Sequence, residues 1–121
     1  MMEENIAWHR GKVLSSVVRE LEKNGFRAFA VRTKEEAADA VLEIVGRDES
    51  VAFGGSFTLK QAGIPEALSA RGQKISASKP GLAREEVLKM RREALLSDVY
   101  ISSPNAVTAD GKLIFVDKIG N

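Results

Sequence analysis

Helical and strand-like hydrophobic patterns alternate along this chain, and the alternation limits the folds that it can adopt. Apolar side chains recur at three- and four-residue steps across residues 4–24, which predicts an amphipathic helix. Thr33 and Glu36 have the spacing of a capping box, which predicts that a second helix begins after Thr33. Further helical patterns cover residues 59–62, 65–71 and 84–97.

Short runs rich in β-branched and aromatic residues separate these helices and predict strands. The predicted strands are residues 26–31, 50–53, 74–77, 99–102 and 113–116. Strands that alternate with helices in this way are typical of βαβ units, whose parallel sheet is covered on both faces. We therefore expect an α/β fold with a mostly parallel sheet and helices on both faces. Such sheets bind ligands at the carboxyl ends of their strands.

Composition restricts the classes of partner. The 121 residues fit one domain, and 18 Lys and Arg against 17 Asp and Glu give a net charge of +1. This balance argues against nucleic acid or an anionic membrane as the partner. No apolar stretch is long enough to span a bilayer, and the segment containing Glu3 and Glu4 does not resemble a signal peptide. We expect a cytoplasmic protein.

The chain has no cysteine and one histidine, His9. Disulfides, zinc fingers, thiol nucleophiles and cysteine-ligated iron–sulfur clusters are therefore excluded, and so is a site with several histidines from one chain. We expect no metal site in this chain. His9 falls within the first predicted helix, where a packing or surface role is more common than catalysis.

The glycine loop, residues 54–58 with the sequence GGSFT, is the sharpest candidate site because it joins a predicted strand to a predicted helix. Gly54 and Gly55 allow a tight turn and the close approach of a ligand. Ser56 and Thr58 add hydroxyl donors near the start of the helix, where an anion is favoured. The pattern predicts phosphate or carboxylate binding, and it fits a tight turn with a capping hydroxyl equally well. It is neither a P-loop nor a dinucleotide-binding motif.

Two further loops follow predicted strands and supply polar side chains. Asn105 follows one of them, and its amide suits a hydrogen bond to a ligand or an Asx-type turn. Asp117 and Lys118 follow the last predicted strand, where they suit a general base and an anion contact, or a solvated chain end. Asp110, before a glycine, indicates a turn.

Basic side chains are frequent in the helix predicted at residues 84–97. Glu85, Glu86 and Glu93 are interleaved with them, at spacings that allow ion pairs between successive turns. We therefore interpret this surface as a solvated helix face whose charges pair with one another.

Six sequence blocks together resemble the lactate-utilisation (LUD) domain family. They are LEKNGF at 21–26, VAFGGSFTL at 51–59, KPGL at 79–82, REALLSDVY at 92–100, NAVTADGKL at 105–113 and VDKIGN at 116–121. The resemblance extends from about Arg10 to Asn121. Several ordered blocks at family-like spacing are more specific than the glycine loop alone.

The resemblance implies a three-layer, Rossmann-like fold related to sugar-phosphate isomerases, glucosamine-phosphate deaminases and coenzyme A transferases. Domains of the family usually continue beyond the last block, which implies that the C-terminal part is missing here. On this view, residues 1–24 form an N-terminal helix, and residues 25–121 form the first three-fifths of a LUD-like α/β domain. The incomplete sheet would then have an exposed edge. We expect either that a partner chain or a second copy replaces the missing part there, or that this part was lost as a truncation.

The resemblance also implies a role in the oxidation of L-lactate to pyruvate, in which family members act with iron–sulfur partner proteins. We expect an accessory or catalytic component of that reaction. Gly54, Gly55, Ser56 and Thr58 would form the floor of a crevice for a small carboxylate or phosphate. Asn105, Asp117 and Lys118 would approach from neighbouring strand ends. Because the chain has no cysteine, any iron–sulfur cluster would belong to a partner protein.

Two alternatives remain at this point. The first is a sugar-phosphate isomerase-like enzyme in which Asp117 or Asp110 is the proton-abstracting carboxylate. The second is a non-enzymatic module that binds an anionic metabolite.

Overall fold

The structure is a computed structural model, and it describes residues 1–76 and 81–117. The described part of the chain is a mixed α/β protein, and its helices alternate with short strands between residues 34 and 101. In chain order its elements are α1 (Met2–Lys23), α2 (Lys34–Ile44), β1 (Ser50–Phe53), α3 (Phe57–Gln61), α4 (Ile64–Ala70), β2 (Lys74–Ser76), α5 (Arg84–Ala94), β3 (Val99–Ile101), β4 (Ala106–Val107) and β5 (Leu113–Ile114).

These elements form two compact units. The parallel-sheet unit contains the described residues between 32 and 103, and therefore α2 to α5 and β1 to β3. The helix–hairpin unit contains residues 1–31 and 104–117, with α1, β4 and β5. The division into residues 1–24 and 25–121 that the sequence suggests stays a prediction.

The parallel-sheet unit is organised around β1. The strand order is β2-β1-β3, and both neighbours run parallel to β1. Val51 is opposite Ile75 of β2 and Val99 of β3. Val51 and Ala52 are both 0% exposed. This burial agrees with the apolar sequence of β1, because the central strand of a parallel sheet is covered on both faces. The expectation of an α/β fold with a parallel sheet is confirmed.

The core of this unit is a cluster of aliphatic side chains from four successive elements. Its buried members are Val45, Val51, Leu59, Ile64 and Leu68. They bring the end of α2, the strand β1 and the short helices α3 and α4 together. Leu68 is 0% exposed, so α4 contributes a fully buried side chain to this cluster.

Side-chain hydrogen bonds fix both ends of α2. At its start the Glu36 N–H donates to Thr33 Oγ1 at 3.1 Å, as the capping-box spacing predicts. The Glu36 carboxylate accepts from the Arg32 N–H at 2.8 Å, one residue earlier than in the usual motif. At its end the Arg71 guanidinium donates to the carbonyls of Leu42 and Val45, both at 2.7 Å. This cation satisfies carbonyls that a helix C-terminus otherwise leaves without partners.

A buried glutamine extends the same polar network to the amino ends of β1 and β2. Gln73 is 7% exposed, and its amide N–H groups donate to the carbonyls of Gly46 and Glu49. Its side-chain oxygen accepts from Arg71 Nε at 2.8 Å. The loops that lead into the two strands are thus joined by side-chain hydrogen bonds rather than by apolar contacts alone.

Ser50 and Asp98 bind each other reciprocally at the starts of β1 and β3. The Asp98 carboxylate accepts from the Ser50 N–H at 2.8 Å and from the Ser50 hydroxyl at 3.0 Å. The Asp98 N–H donates to Ser50 Oγ at 2.9 Å. The Ser50 backbone N–H, followed by the Ser50 hydroxyl, lowers the pKa of Asp98 below its ordinary value.

We expect this pair to make stability depend on pH in acid. Because the folded pKa of Asp98 is lowered, its contribution is complete above the unfolded pKa of about 3.9 and is lost as the pH falls through the folded value. Urea unfolding of the wild type and Asp98→Asn at several pH values between neutrality and pH 2.5 measures this. The midpoint of Asp98→Asn should fall less on acidification, and an identical fall in both proteins would contradict the assignment.

The predicted strand at residues 26–31 does not form. These residues have no strand partner, and the side chains of Phe26 and Phe29 are exposed. The Phe26 N–H donates to the carbonyl of Leu21 at 3.0 Å, and the Ala28 N–H donates to the Glu22 carboxylate at 2.7 Å. The prediction was wrong because these donors bind the end of α1, although the sequence has strand propensity.

The last predicted strand, at 113–116, is shorter and belongs to another sheet. Leu113–Ile114 forms β5, which pairs antiparallel with β4, a strand that the sequence did not predict. Asp110-Gly111 forms the turn between them, as expected, and Gly111 has φ +80°. The Asn24 amide donates to the carbonyls of Asp110 and Gly111 at 3.0 and 2.8 Å, which fastens the turn to the end of α1.

Within the described ranges, no helix combines the length and the apolarity that a membrane crossing needs. Three layers, with helices on both faces of the parallel sheet, stay a prediction.

Candidate functional site

A groove of about 920 Å³ lies in the parallel-sheet unit, where the chain leaves β1. Phe53, the first three residues of the glycine loop, and Ser76 at the end of β2 contribute to it. Residues of α3, Pro65 of α4, the α5 segment and Tyr100 of β3 also line it. We call it the glycine-loop groove. Its position agrees with the general rule that open α/β sheets bind ligands beyond the carboxyl ends of their strands.

The two glycines of the loop have different structural roles. The Gly54 N–H donates to the carbonyl of Ile101 at 2.9 Å, so this residue continues the hydrogen bonding between β1 and β3. A Cβ at Gly54 would lie 3.1 Å from Ser102 Cβ and 3.3 Å from the Tyr100 hydroxyl. A Cβ at Gly55 would meet no atom within 4 Å. Gly54 therefore permits close packing of the strands, whereas the backbone at Gly55 is open to an incoming group.

Ser56 both caps a helix and lines the groove. Its Oγ accepts from the Leu59 N–H at 3.3 Å, which is the capping role that the loop pattern allows. A hydroxyl has one donor besides its acceptor sites, so this bond leaves the Ser56 proton available to a ligand. Thr58 is exposed in the first turn of α3 and is not among the described residues that line the groove.

The charge of the groove comes from side chains that the sequence interpretation assigned to a solvated surface. Its charged lining residues among those described are Lys60, Arg84, Arg91 and Arg92. All four are exposed. No acidic side chain lines the described part of the groove, so its local charge is strongly positive although the whole chain carries only +1.

The ion pairs expected along α5 are not formed. Between residues 84 and 94, no arginine or lysine lies within ion-pair distance of a carboxylate of the described residues. Exposed pairs on a helix contribute little free energy, so the glutamates do not hold these cations on the helix surface. The expectation of paired charges was wrong, and Arg84, Arg91 and Arg92 are the functional candidates that it concealed.

Tyr100 is a further candidate that the sequence interpretation missed. The side chain is 38% exposed and lines the groove, with its hydroxyl beside Gly54. A phenol at this position offers both a hydrogen-bonding group and an aromatic face to a ligand. Alternation along β3 was the available signal, because Tyr100 points to the opposite face from its neighbours Val99 and Ile101.

The other predicted ligand-binding residues belong to the helix–hairpin unit. Asn105 Oδ1 accepts from the Val116 N–H at 2.8 Å, and the Asn105 N–H donates to the carbonyl of Ile114 at 2.8 Å. Asp117 follows Val116 and is exposed. Lys118 lies outside the described residues. Because the glycine loop is in the other unit, a single crevice that contains all these residues stays a prediction.

Asp110 is engaged within its own turn. Its carboxylate accepts from the Thr108 hydroxyl and pairs with Lys112 Nζ at 3.0 Å. The Thr108 hydroxyl, followed by Lys112, lowers the pKa of Asp110 below its ordinary value. A lowered pKa makes a carboxylate a weaker proton acceptor. This geometry gives Asp110 a part in stabilising the turn and offers no support for the isomerase alternative.

The donor groups of the chain do not fit an iron–sulfur cluster. Cysteine is absent, and the single histidine, His9, is exposed on α1. Among residues 1–76 and 81–117, no three His, Asp or Glu side chains are grouped to hold a metal ion.

Comparison with known proteins identifies the family. No curated protein and no solved structure matches the chain. A family model described as LUD domain matches residues 14–121, which include the glycine loop, α5 and every strand of both sheets. Since this match covers most of the sequence, the chain belongs to the LUD-domain family.

Proposed function

We propose that this LUD-domain protein is an accessory or catalytic component in the oxidation of L-lactate to pyruvate, and that it holds a carboxylate or phosphate in the glycine-loop groove. Family membership supports a role related to lactate utilisation. The observation that carries the anion site is the concentration of four cationic side chains in a groove whose described lining contains no acid. A cytoplasmic location and a three-layer fold are parts of the same proposal.

The groove has the groups that anion binding requires. An arginine guanidinium presents a planar set of donors that matches both oxygens of a carboxylate, and it stays charged at any physiological pH. The Ser56 hydroxyl can add a donor at the glycine loop, where Gly55 leaves the backbone open. Roles for Asn105, Asp117 and Lys118 in ligand binding stay predictions from the sequence.

Electrons from lactate would leave through another protein. Oxidation of lactate to pyruvate releases two electrons and two protons, and the donor groups of this chain do not fit an iron–sulfur cluster. We place that cluster on a partner protein. A second copy of this chain is the other proposed partner, since β2 and β3 are the edges of the parallel sheet in the described residues.

Binding of anions to the wild type and to two charge variants tests the site. Titration of the ¹⁵N-labelled protein with L-lactate, pyruvate and inorganic phosphate should shift resonances of the glycine loop and α5. Arg91→Gln should raise the dissociation constant about tenfold, because it removes one charge-assisted contact. Lys89→Gln removes the same charge from the same helix, but Lys89 does not line the groove, so its constant should stay within about twofold.

Equal weakening by Arg91→Gln and Lys89→Gln would show that only the general charge of α5 matters. Ser56→Ala gives a second comparison, since it removes one neutral donor and should weaken binding less than Arg91→Gln does. No shift at the glycine loop with any of the three anions would reject the anion site.

A further inference from the structure

The face that α5 presents to the groove combines cations with apolar side chains. Arg84, Val87, Leu88, Arg91 and Leu95 all line the groove, at helical spacings of three and four residues. Arg84 and Arg91 are two turns apart, about 10 Å along the helix axis. Val87 and Leu88 lie between them along the helix. Thus an apolar strip separates two positively charged positions.

The rest of the groove continues this apolar surface. Phe53 of β1, Leu59 of α3 and Pro65 of α4 also line it. Leu88 is 41% exposed and Leu95 is 72% exposed, so a substantial apolar area faces the groove without cover. Contact between water and such a surface is unfavourable. An aliphatic or aromatic group that binds there would remove apolar area from water with a favourable free energy.

The size of the groove also exceeds the needs of a three-carbon acid. Sites of about 300–1,000 Å³ are typical for ligands of drug size, and the glycine-loop groove lies near the upper end with about 920 Å³. A lactate ion held by one arginine would leave most of the apolar strip in contact with water.

We infer that the glycine-loop groove binds an amphipathic organic anion, with a carboxylate or phosphate held by the arginines of α5 and an aliphatic or aromatic body on the strip between them. The inference rests on the proposed anion site and specifies its ligand class. Positive charge favours the anionic head, and the uncovered apolar area favours a body of several carbons. Neither feature alone selects this class. A purely apolar ligand would make no use of the arginine charges, and a small anion would leave the apolar strip in contact with water.

A homologous series of 2-hydroxy acids tests the ligand class with a constant headgroup. L-lactate, 2-hydroxyhexanoate and 2-hydroxyoctanoate are titrated into the full chain by calorimetry or NMR. Each buried methylene contributes a favourable increment, so the dissociation constant should fall about tenfold or more from lactate to 2-hydroxyoctanoate. The uncharged 2-hydroxyoctanamide has the same body without the charge, and it should bind at least about tenfold more weakly than its acid.

Two leucine variants provide a matched pair. Leu88→Ala shortens a side chain of the apolar strip and should reduce the gain in affinity from chain length several-fold. Leu96→Ala removes the same atoms from a residue that is 85% exposed and does not line the groove, so the gain should persist. Arg91→Gln should weaken all three acids by a similar factor.

The outcomes separate this inference from the proposed function. If lactate binds through Arg91 and longer acids bind no more tightly, the anion site stands and the amphipathic ligand is rejected. If 2-hydroxyoctanoate binds in an Arg91-dependent manner and lactate does not bind at millimolar concentration, the ligand class is supported and lactate is rejected as the ligand. If the amide binds as tightly as the acid, the inference is rejected because charge has no part in recognition.

Discussion

Replacement of Leu68 by alanine is expected to lower the free energy of unfolding by about 3 kcal/mol. Leu68 is 0% exposed and belongs to the cluster that joins β1 to α2, α3 and α4. Removal of its side chain takes apolar contacts from the core and leaves a cavity that the surrounding helices fill only in part. Since domains of this size are stable by about 5–15 kcal/mol, the loss should be evident in urea unfolding followed by far-ultraviolet circular dichroism.

Leu96→Ala is the matched control for this substitution. Leu96 is 85% exposed just after α5, so the same loss of atoms should change the free energy of unfolding by less than about 0.5 kcal/mol. Similar midpoints for the two variants would show that Leu68 is not packed in the aliphatic cluster in the way described.

Gly111→Ala is expected to have a comparable effect through the helix–hairpin unit. Gly111 has φ +80°, a conformation that costs a residue with a Cβ about 1–2 kcal/mol. The added Cβ would also lie 2.5 Å from the backbone carbon of Glu20 and 2.8 Å from the nitrogen of Leu21. Because α1 backbone atoms cannot move aside singly, the turn must separate from the helix, and we expect a total loss of about 3 kcal/mol.

Gly25→Ala separates the conformational cost from the steric cost. Gly25 lies in the same unit and has φ +89°, but an added Cβ there would meet no atom within 4 Å. It should show only the conformational cost, about 1–2 kcal/mol. The Asn24 side-chain amide provides a local measurement, because it donates to the carbonyls of Asp110 and Gly111. Its NMR signal should lose protection from exchange in Gly111→Ala and keep it in Gly25→Ala. Retention in both would contradict the steric argument.

Local sequence patterns predicted the parallel sheet because each strand carries its own signal. The three strands are short, apolar and bounded by polar or turn-forming residues, and the register then follows from their burial around Val51. The segment at 26–31 has similar propensity, yet a strand also needs a partner, and its donors find the carbonyl of Leu21 and the carboxylate of Glu22 instead. The strands β4 and β5 pair across a short turn, and that turn was predicted from the sequence.

Only part of the candidate site could be predicted from the sequence, because only part of it carries a local sequence signal. The glycine loop is a continuous motif, so Gly54, Gly55 and Ser56 could be found without knowledge of the fold. The arginines of α5 could not, because interleaved glutamates make a paired, solvated helix face the simplest interpretation of that segment. Whether Arg91 faces a glutamate or the glycine loop depends on where α5 packs, and tertiary structure decides that.

The polar network at the amino ends of the strands has a consequence for sequence change in this protein. Gln73 and Arg71 join the loops before β1 and β2, and Ser50 with Asp98 joins the starts of β1 and β3. The glycine-loop groove follows the opposite, carboxyl ends of β1 and β2. Hydrogen bonds that hold the register therefore lie at the opposite strand ends from the side chains that we propose to bind the ligand. We therefore expect that substitutions of the groove-lining side chains of α5 can change ligand binding with little effect on the folding of the parallel sheet.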